Sequence, residues 1–269
     1  MIAPTDGCGA VISMVGDGPR ARCTLRSGLL QPRLIESSAT SATVSLVATQ
    51  ALLLGGDHVV VTIDVGAGML LEVLEATGTV AYNSGDVPSS WSVTARVASG
   101  GALLWHGEPL VVADGAAVTR VFDVDLEEGG IACLREVVVL GREGERGGSL
   151  RMTNDVRHAG AALLREDLDL SDPAERSAPG ILGAARCLDF VSMLGLRPTT
   201  DGPDLRLDLE GPGALARHLG AEAHVSDMPA VWESWAGLVR AHHRREVALL
   251  GAKSSGAVTT AIPGDAGTA

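Results

Sequence analysis

Trp91-Ser92-Val93-Thr94-Ala95-Arg96-Val97 alternates apolar and polar residues without a break, the period-two pattern of a strand with one buried face and one wet face. The same alternation runs through Val59, Val61, Ile63 and Val65. It recurs through Val118, Arg120, Phe122, Val124 and Leu126, with Asp123 and Asp125 on the opposite side. Between such runs lie glycine-bearing stretches at 65–70, 97–104, 112–118, 126–134 and 156–164. Glycine supplies the positive φ that tight turns need, so each stretch reads as a hairpin. Their spacing is too irregular for a strict solenoid. The expected fold is therefore mainly β, built of stacked, meandering sheets, with two α-helices in the C-terminal third.

The pattern changes near Ser171, where residues 171–177 are polar with one proline. A helix is expected over about 178–195, with Ser177 as its cap and Pro179 in its first turn. Ile181, Leu182, Ala185, Leu188 and Val191 would form its apolar stripe, and Gly195 its end. A short strand follows at 205–209. A second helix is expected over about 226–250, carrying Val231, Trp235, Leu238 and His242 along one face. Residues 1–251 read as a single domain. Residues 252–269, rich in Gly, Ala, Ser and Thr, read as a flexible tail.

Composition narrows the functions. The chain has 269 residues and a formal charge of −12, and Lys253 is its only lysine. An acidic field disfavours nucleic acid and anionic lipid and favours cationic partners or metal ions. Cys8, Cys23, Cys133 and Cys187 are far apart with no CxxC pair, which reads as thiols in a reducing compartment rather than a zinc site or a disulfide framework. Residues 1–16 lack a basic leader, and no apolar run approaches the roughly 18 residues of a membrane span. The expected location is the cytoplasm. The mean hydropathy of +0.23 fits either a Val/Ala-rich core or an apolar surface that a partner covers.

No P-loop, HExxH, GxSxG or GxGxxG motif is present, and no catalytic residue is assigned. His242, His243 and Glu246 have helical metal-ligand spacing; a solvated surface with Arg244 and Arg245 accounts for them with fewer assumptions. Gly55-Gly56-Asp57-His58 reads either as a turn whose Asp bonds backbone amides or as a presented carboxylate and imidazole for a divalent cation. In Val137-Val138-Val139-Leu140-Gly141-Arg142-Glu143-Gly144-Glu145, a buried strand runs into a loop with one Arg and two carboxylates, the pattern of a surface ion-pair turn.

Taken together these segments resemble the urease accessory protein family UreD, called UreH in some bacteria. Leu25-Arg26-Ser27-Gly28-Leu29-Leu30-Gln31-Pro32-Arg33 is similar to its opening R-x-G-x-L-x-P-R stretch. Leu54-Gly55-Gly56-Asp57 resembles its GGxxGGD loop, with Leu52-Leu53 in place of the first glycine pair. Residues 76–82 stand where the family has A-A-T-K-V-Y, without the lysine, and Gly101-Ala102-Leu103-Leu104-Trp105 resembles its G-A-x-L-E-W strand. The segment from Glu136 to Arg142, followed by Gly144-Glu145, resembles its E-x-L-x-L-G-R-x-x-x-G-E signature with a shorter Arg–Glu spacing.

The resemblance implies a mainly β scaffold with two helices. Such a protein binds UreF, through it the GTPase UreG, and docks on apo-urease so that nickel reaches the active site; a dimer of heterodimers with UreF is the expected assembly. It implies no tightly bound cofactor, only transient nickel, with Asp57, His58 and Glu145 as candidates for its route. Gly55, Gly56, Gly141, Arg142, Gly144, Trp232 and Trp235 are then the candidate motif or partner-binding residues. Two other readings stay open: a β-scaffold hydrolase using carboxylates such as Asp57 and Glu145, and a β interaction module unrelated to metal.

Overall fold

A computed structural model describes residues 9–17, 20–85, 87–199 and 206–256. Chain order begins with β1 (Gly9–Asp17), β2 (Arg20–Arg26), β3 (Leu30–Ser37) and β4 (Ser41–Ala48). The central region holds β5 (His58–Val65), β6 (Leu70–Glu75), β7 (Thr79–Ala81), β8 (Ser89–Val97), β9 (Ala102–Val112), β10 (Ala117–Leu126) and β11 (Ile131–Leu140). Then come β12 (Ser149–His158), β13 (Ala161–Asp169), the short helix α1 (Pro173–Arg176), β14 (Cys187–Leu194), β15 (Arg206–Asp208), β16 (Gly213–Gly220) and the long helix α2 (Met228–Gly256).

The mainly β expectation holds, but the turns are not what hairpin logic supplies. One sheet has the order β13-β12-β10-β8-β5-β1-β2; the other runs β15-β16-β14-β11-β9-β6-β4-β3, with β7 added beside β9. From β5 to β12 the chain alternates between them, β7 following β6 in the second sheet, and β5, β8, β10 and β12 pair in parallel, as do β4, β6, β9 and β11. Four of the five glycine stretches are therefore arches that carry the chain from one sheet to the other. Only 156–164 closes an antiparallel hairpin, between β12 and β13. Period-two alternation tells which face of a strand is buried and says nothing of whether the next strand pairs beside it or across the core.

The arches are bonded to one another. The amide of Ala98 donates to the Val65 carbonyl at 2.9 Å and that of Glu127 to Val97 at 2.9 Å; Ala102 donates to Met69 at 2.8 Å and Ile131 to Gly101 at 3.0 Å. Gly68, Gly100 and Gly129 occupy equivalent places in successive arches with φ of 66°, 66° and 73°, a left-handed conformation that costs a side-chain-bearing residue about 1–2 kcal/mol. Beside them, a Cβ on Gly101 would stand 2.9 Å from two backbone oxygens, Ala98 O and Gly66 O.

Between the sheets, inward Val, Leu, Ile and Ala side chains surround Trp91, Trp105 and Phe122, all nearly solvent-free. Arg120 points into this core. Its Nε donates to Glu136 at 2.9 Å and its Nη2 to Glu75 at 3.3 Å, and its guanidinium lies 5.1 Å from the Trp91 ring centre and 5.2 Å from that of Phe122.

The helix expected over 178–195 does not form. Asp172, not Ser177, caps the local helix by accepting from the Ala174 amide at 2.7 Å, with Pro173 in first position, and that helix ends at Arg176. Gly180 and Gly183 then turn the chain at φ of 92° and 58°, and residues 187–194 form β14, paired with β11 on one side and β16 on the other. The stripe fits both periods; two strands offering ladder partners decide it, and Ile181 is left exposed.

The strand expected at 205–209 appears as β15 over its described part. The second helix matches its expected start, with the Ser226 hydroxyl accepting from the Met228 amide at 3.2 Å. It continues through Gly256, so residues 252–256 are helical rather than tail; 257–269 lie outside the described residues. α2 lies on the outer face of the second sheet, where Met228, Val231, Trp232, Trp235, Ala236 and Val239 cover Leu104, Cys133, Val191 and Met193. Arg240 ties it to Glu72 at 2.5 Å. His243 is buried there as well, against the expectation of a solvated helix surface, while Arg244, Arg245 and Glu246 are exposed.

Gly101→Ala is expected to lower unfolding free energy by about 1–3 kcal/mol, since the new methyl must displace two arches. Urea denaturation checks it; an unchanged midpoint would show that the arches are free to part.

Candidate functional site

The loop after β11 carries the residues singled out at 141–145. Gly141, Gly144 and Gly147 take φ of 79°, 78° and 86°, so the chain doubles back tightly and brings Glu145 under Arg142. Glu145 Oε2 accepts from the Arg142 amide at 2.9 Å and the Asp114 amide at 3.2 Å; Oε1 accepts from Arg142 Nε at 2.9 Å and Nη2 at 2.5 Å. These donors, the Arg142 side chain first, hold the Glu145 carboxyl down at about 2. Asp114 in turn accepts from the Gly147 amide at 2.7 Å.

Two arginines outside the expected set fix the same loop from below. Arg176 is buried, and its two Nη groups donate to the carbonyls of Arg146 at 2.8 Å, Gly147 at 2.7 Å, Gly148 at 2.5 Å and Leu170 at 3.1 Å. Arg186 donates to the carbonyls of Gly141 at 2.6 Å and Arg142 at 2.8 Å. Glu145, Arg146, Asp172, Arg176, Ala184 and Arg186 border a cleft of about 620 Å³. Arg142, Glu143 and Arg146 on this loop are exposed to solvent.

The 55–58 turn sits at the same end of the sheets. Asp57 Oδ2 accepts from the Leu54 amide at 3.0 Å, and His58 Nδ1 is 2.8 Å from the Ser90 hydroxyl. Gly56 has φ of 86°. A Cβ on Gly55 would stand 2.7 Å from Ser84 O and 3.2 Å from Val87 O, so glycine lets this turn lie flat on Ser84 and Val87. Ser84 is in turn bonded to Gly115, next to Asp114.

The motif loops thus form one row of turns, yet no hydrogen bond or ion pair joins Asp57 or His58 to Glu145 among the described residues. Nor do three or more His, Cys, Asp or Glu side chains gather there as a metal site. Trp232 and Trp235 are 3% and 1% exposed, and the His106 ring is 5.2 Å from that of Trp232; both tryptophans anchor α2 instead of facing a partner. Cys23, Cys133 and Cys187 are unpaired thiols. Burial pushes Cys187 up to about 11 and raises Cys133 too, so neither offers a thiolate at neutral pH. Cys8 lies outside the described residues.

Residues 28–244 match the family of UreD urease accessory proteins. The chain belongs to that family. It is similar to urease accessory protein UreD 1 of Streptomyces griseus, 41% identical over 77% of this chain and 82% of that one. UreD of Frankia casuarinae is 38% identical over 73% and 64%, and UreD of Streptomyces avermitilis 34% over 73% and 78%. The segment that resembles the family's signature thus ends in the loop that Arg176 and Arg186 clamp. Arg176 lies in the polar stretch 171–177, and no local pattern marks an arginine whose acceptors include carbonyls 28–30 residues away. Arg186 was concealed by the helix expected there.

Two outcomes are expected. Arg176→Ala leaves several buried carbonyls without donors, each worth about 1–3 kcal/mol, and should lower the melting temperature markedly, with Arg176→Lys recovering only part. In NMR, the Arg142 and Asp114 amides should shift with a midpoint near pH 2. A carboxylate whose folded value is depressed stabilises the fold above its unfolded value near 4.5 and loses that contribution as pH falls through its folded value. A midpoint near 4.5 would show that Glu145 is not held.

Proposed function

We propose that this UreD-family chain is a non-catalytic scaffold of urease maturation in the cytoplasm. It binds UreF, through UreF the GTPase UreG, and docks on apo-urease to assist nickel insertion, in an assembly built as a dimer of UreF heterodimers. The observation that carries the reading is the family match across 28–244, together with a clamped loop at 141–148 whose charged side chains face outward. A loop ordered before contact loses little entropy on binding, as a docking element needs. No described helix is long and apolar enough to cross a membrane, consistent with this location.

Nickel is cargo here, held transiently. Asp57 commits one carboxylate oxygen to Leu54 and His58 one ring nitrogen to Ser90. Each retains a second donor atom for a passing divalent ion. Glu145 has both oxygens engaged by N–H groups, and a carboxylate held near 2 is a weak proton acceptor at neutral pH. That argues against the carboxylate hydrolase as well.

The test is co-expression with a UreF homologue and apo-urease, followed by affinity capture and nickel analysis. Wild type should retain both partners and load nickel. Asp57→Ala should leave capture intact and lower nickel per complex, whereas Glu145→Ala should weaken capture and melting together. Failure of wild type to retain UreF would overturn the scaffold reading; full nickel loading by Asp57→Ala would remove that residue from the route.

A further inference from the structure

Parallel sheets are ordinarily covered on both faces. The second sheet has α2 on its outer face, but no described element covers the outer face of β5, β8, β10 and β12. The registers of these strands place Asp64 beside Arg96, Arg96 beside Asp125, and Asp125 beside Arg157. One row across four strands thus reads minus, plus, minus, plus. The next row reads Thr62, Thr94, Asp123, Asp155. Arg157 lies 3.6 Å from Asp123 and 4.0 Å from Asp125, while Arg96, exposed, has no ion-pair partner among the described residues.

An alternating row of even length is complementary to its own reversal. We propose that two copies of this chain associate through this face, related by a two-fold axis that runs parallel to the strands between β8 and β10. β5 then faces β12 of the other copy, and β8 faces β10. Asp64 meets Arg157, and Arg96 meets Asp125, twice each. In the second row Thr94 meets Asp123 and Thr62 meets Asp155, which Arg165 of its own chain already pairs, so hydroxyls face carboxylates and no two aspartates are opposed.

Two chains of charge −12 repel as wholes; a face of alternating sign is where that repulsion is locally reversed. Four strands about 4.8 Å apart, with four outward positions each, span roughly 500 Å² per copy, near the lower limit of about 1,000 Å² in total for a specific interface. The dimer is accordingly weak, reversible and sensitive to salt.

Sedimentation velocity of the full chain tests this. A concentration-dependent dimer is expected at low salt, weakened at least about tenfold at about 0.5 M salt. Arg96→Asp and Asp125→Arg should each weaken it by about tenfold or more, because each places like charges opposite one another twice. An equimolar mixture of the two variants should recover association to within about threefold of wild type, since every 96–125 contact between unlike copies is again an opposite pair. Thr94→Asp, which leaves the ion row untouched, should also weaken the dimer by opposing Asp123, and thermal melts show that each variant is folded. A monomer at all concentrations, association that grows with salt, or folded variants whose mixture does not recover would each overturn the proposal.

Discussion

Each strand of the central region must leave one sheet and enter the other through an arch of a few residues, and the peptide groups of that arch need partners. They find them in the arches above and below: Val65 to Ala98, Val97 to Glu127, Met69 to Ala102, Gly101 to Ile131. Arches stack this closely because no side chain intervenes at Gly101 and Gly130, where a Cβ would stand 2.9 Å from a backbone oxygen of a neighbouring arch, while Gly68, Gly100 and Gly129 supply the left-handed turn. Parallel pairing of β5, β8, β10 and β12 follows, and with it the in-register rows on the outer face. The turns at the opposite end are brought level by the same repeat, which gathers 54–57, Ser84, Val87, 113–116 and 141–148 into one rim.

The two sheets are held at a fixed offset by a polar contact within an apolar core. Arg120 comes from one sheet, Glu75 and Glu136 from the other. Burial raises the Glu75 carboxyl, with Arg120 opposing it. Such a cluster adds little net stability over a hydrophobic replacement, but removing one partner leaves the others buried and costs about 3–5 kcal/mol. Any slide of one sheet over the other would separate the charges, so the cluster disfavours alternative offsets more than it strengthens the right one. Glu136 also opens the segment that resembles the family's signature. That motif therefore runs from the inter-sheet contact, along β11, to the clamped loop at the rim.

Faces were legible in the sequence and partners were not. Trp91 to Val97 and Val118 to Leu126 show which side chains turn inward, Arg120 among them, because alternation is a local property. Whether a glycine turn makes a hairpin or an arch depends on strands far along the chain. The same ambiguity misplaced residues 187–194: Leu188 and Val191 satisfy a helical stripe as well as a strand, and β11 and β16 settle the matter. At the site, the turn chemistry of Asp57 and the Arg142–Glu145 pair could be read locally, being contacts of three residues' separation. Arg176 could not, since its acceptors are backbone carbonyls and any residue supplies those. Leu53, where the family motif has glycine, adopts φ of 56° with its side chain wholly buried; the apolar burial of leucine, about 1.5–3 kcal/mol, offsets the backbone strain.

The two coverings of the molecule differ in kind. On the second sheet, α2 buries Trp232, Trp235 and Val239 and closes the face with Arg240 and Glu72, so that surface is already committed within the chain. The outer face of the first sheet carries rows of threonine, aspartate and arginine beside a row of Val60, Ser92, Val121 and Thr153, and its charged rows favour a partner that matches them in sign. Apolar area is non-directional and would accept many partners; an ordered charge pattern penalises each wrong pairing. Such a pattern selects a partner more sharply than an apolar face does and holds it less permanently. The clamped rim follows the same logic, since Arg142, Glu143 and Arg146 are presented on a loop whose backbone is fixed before any partner arrives.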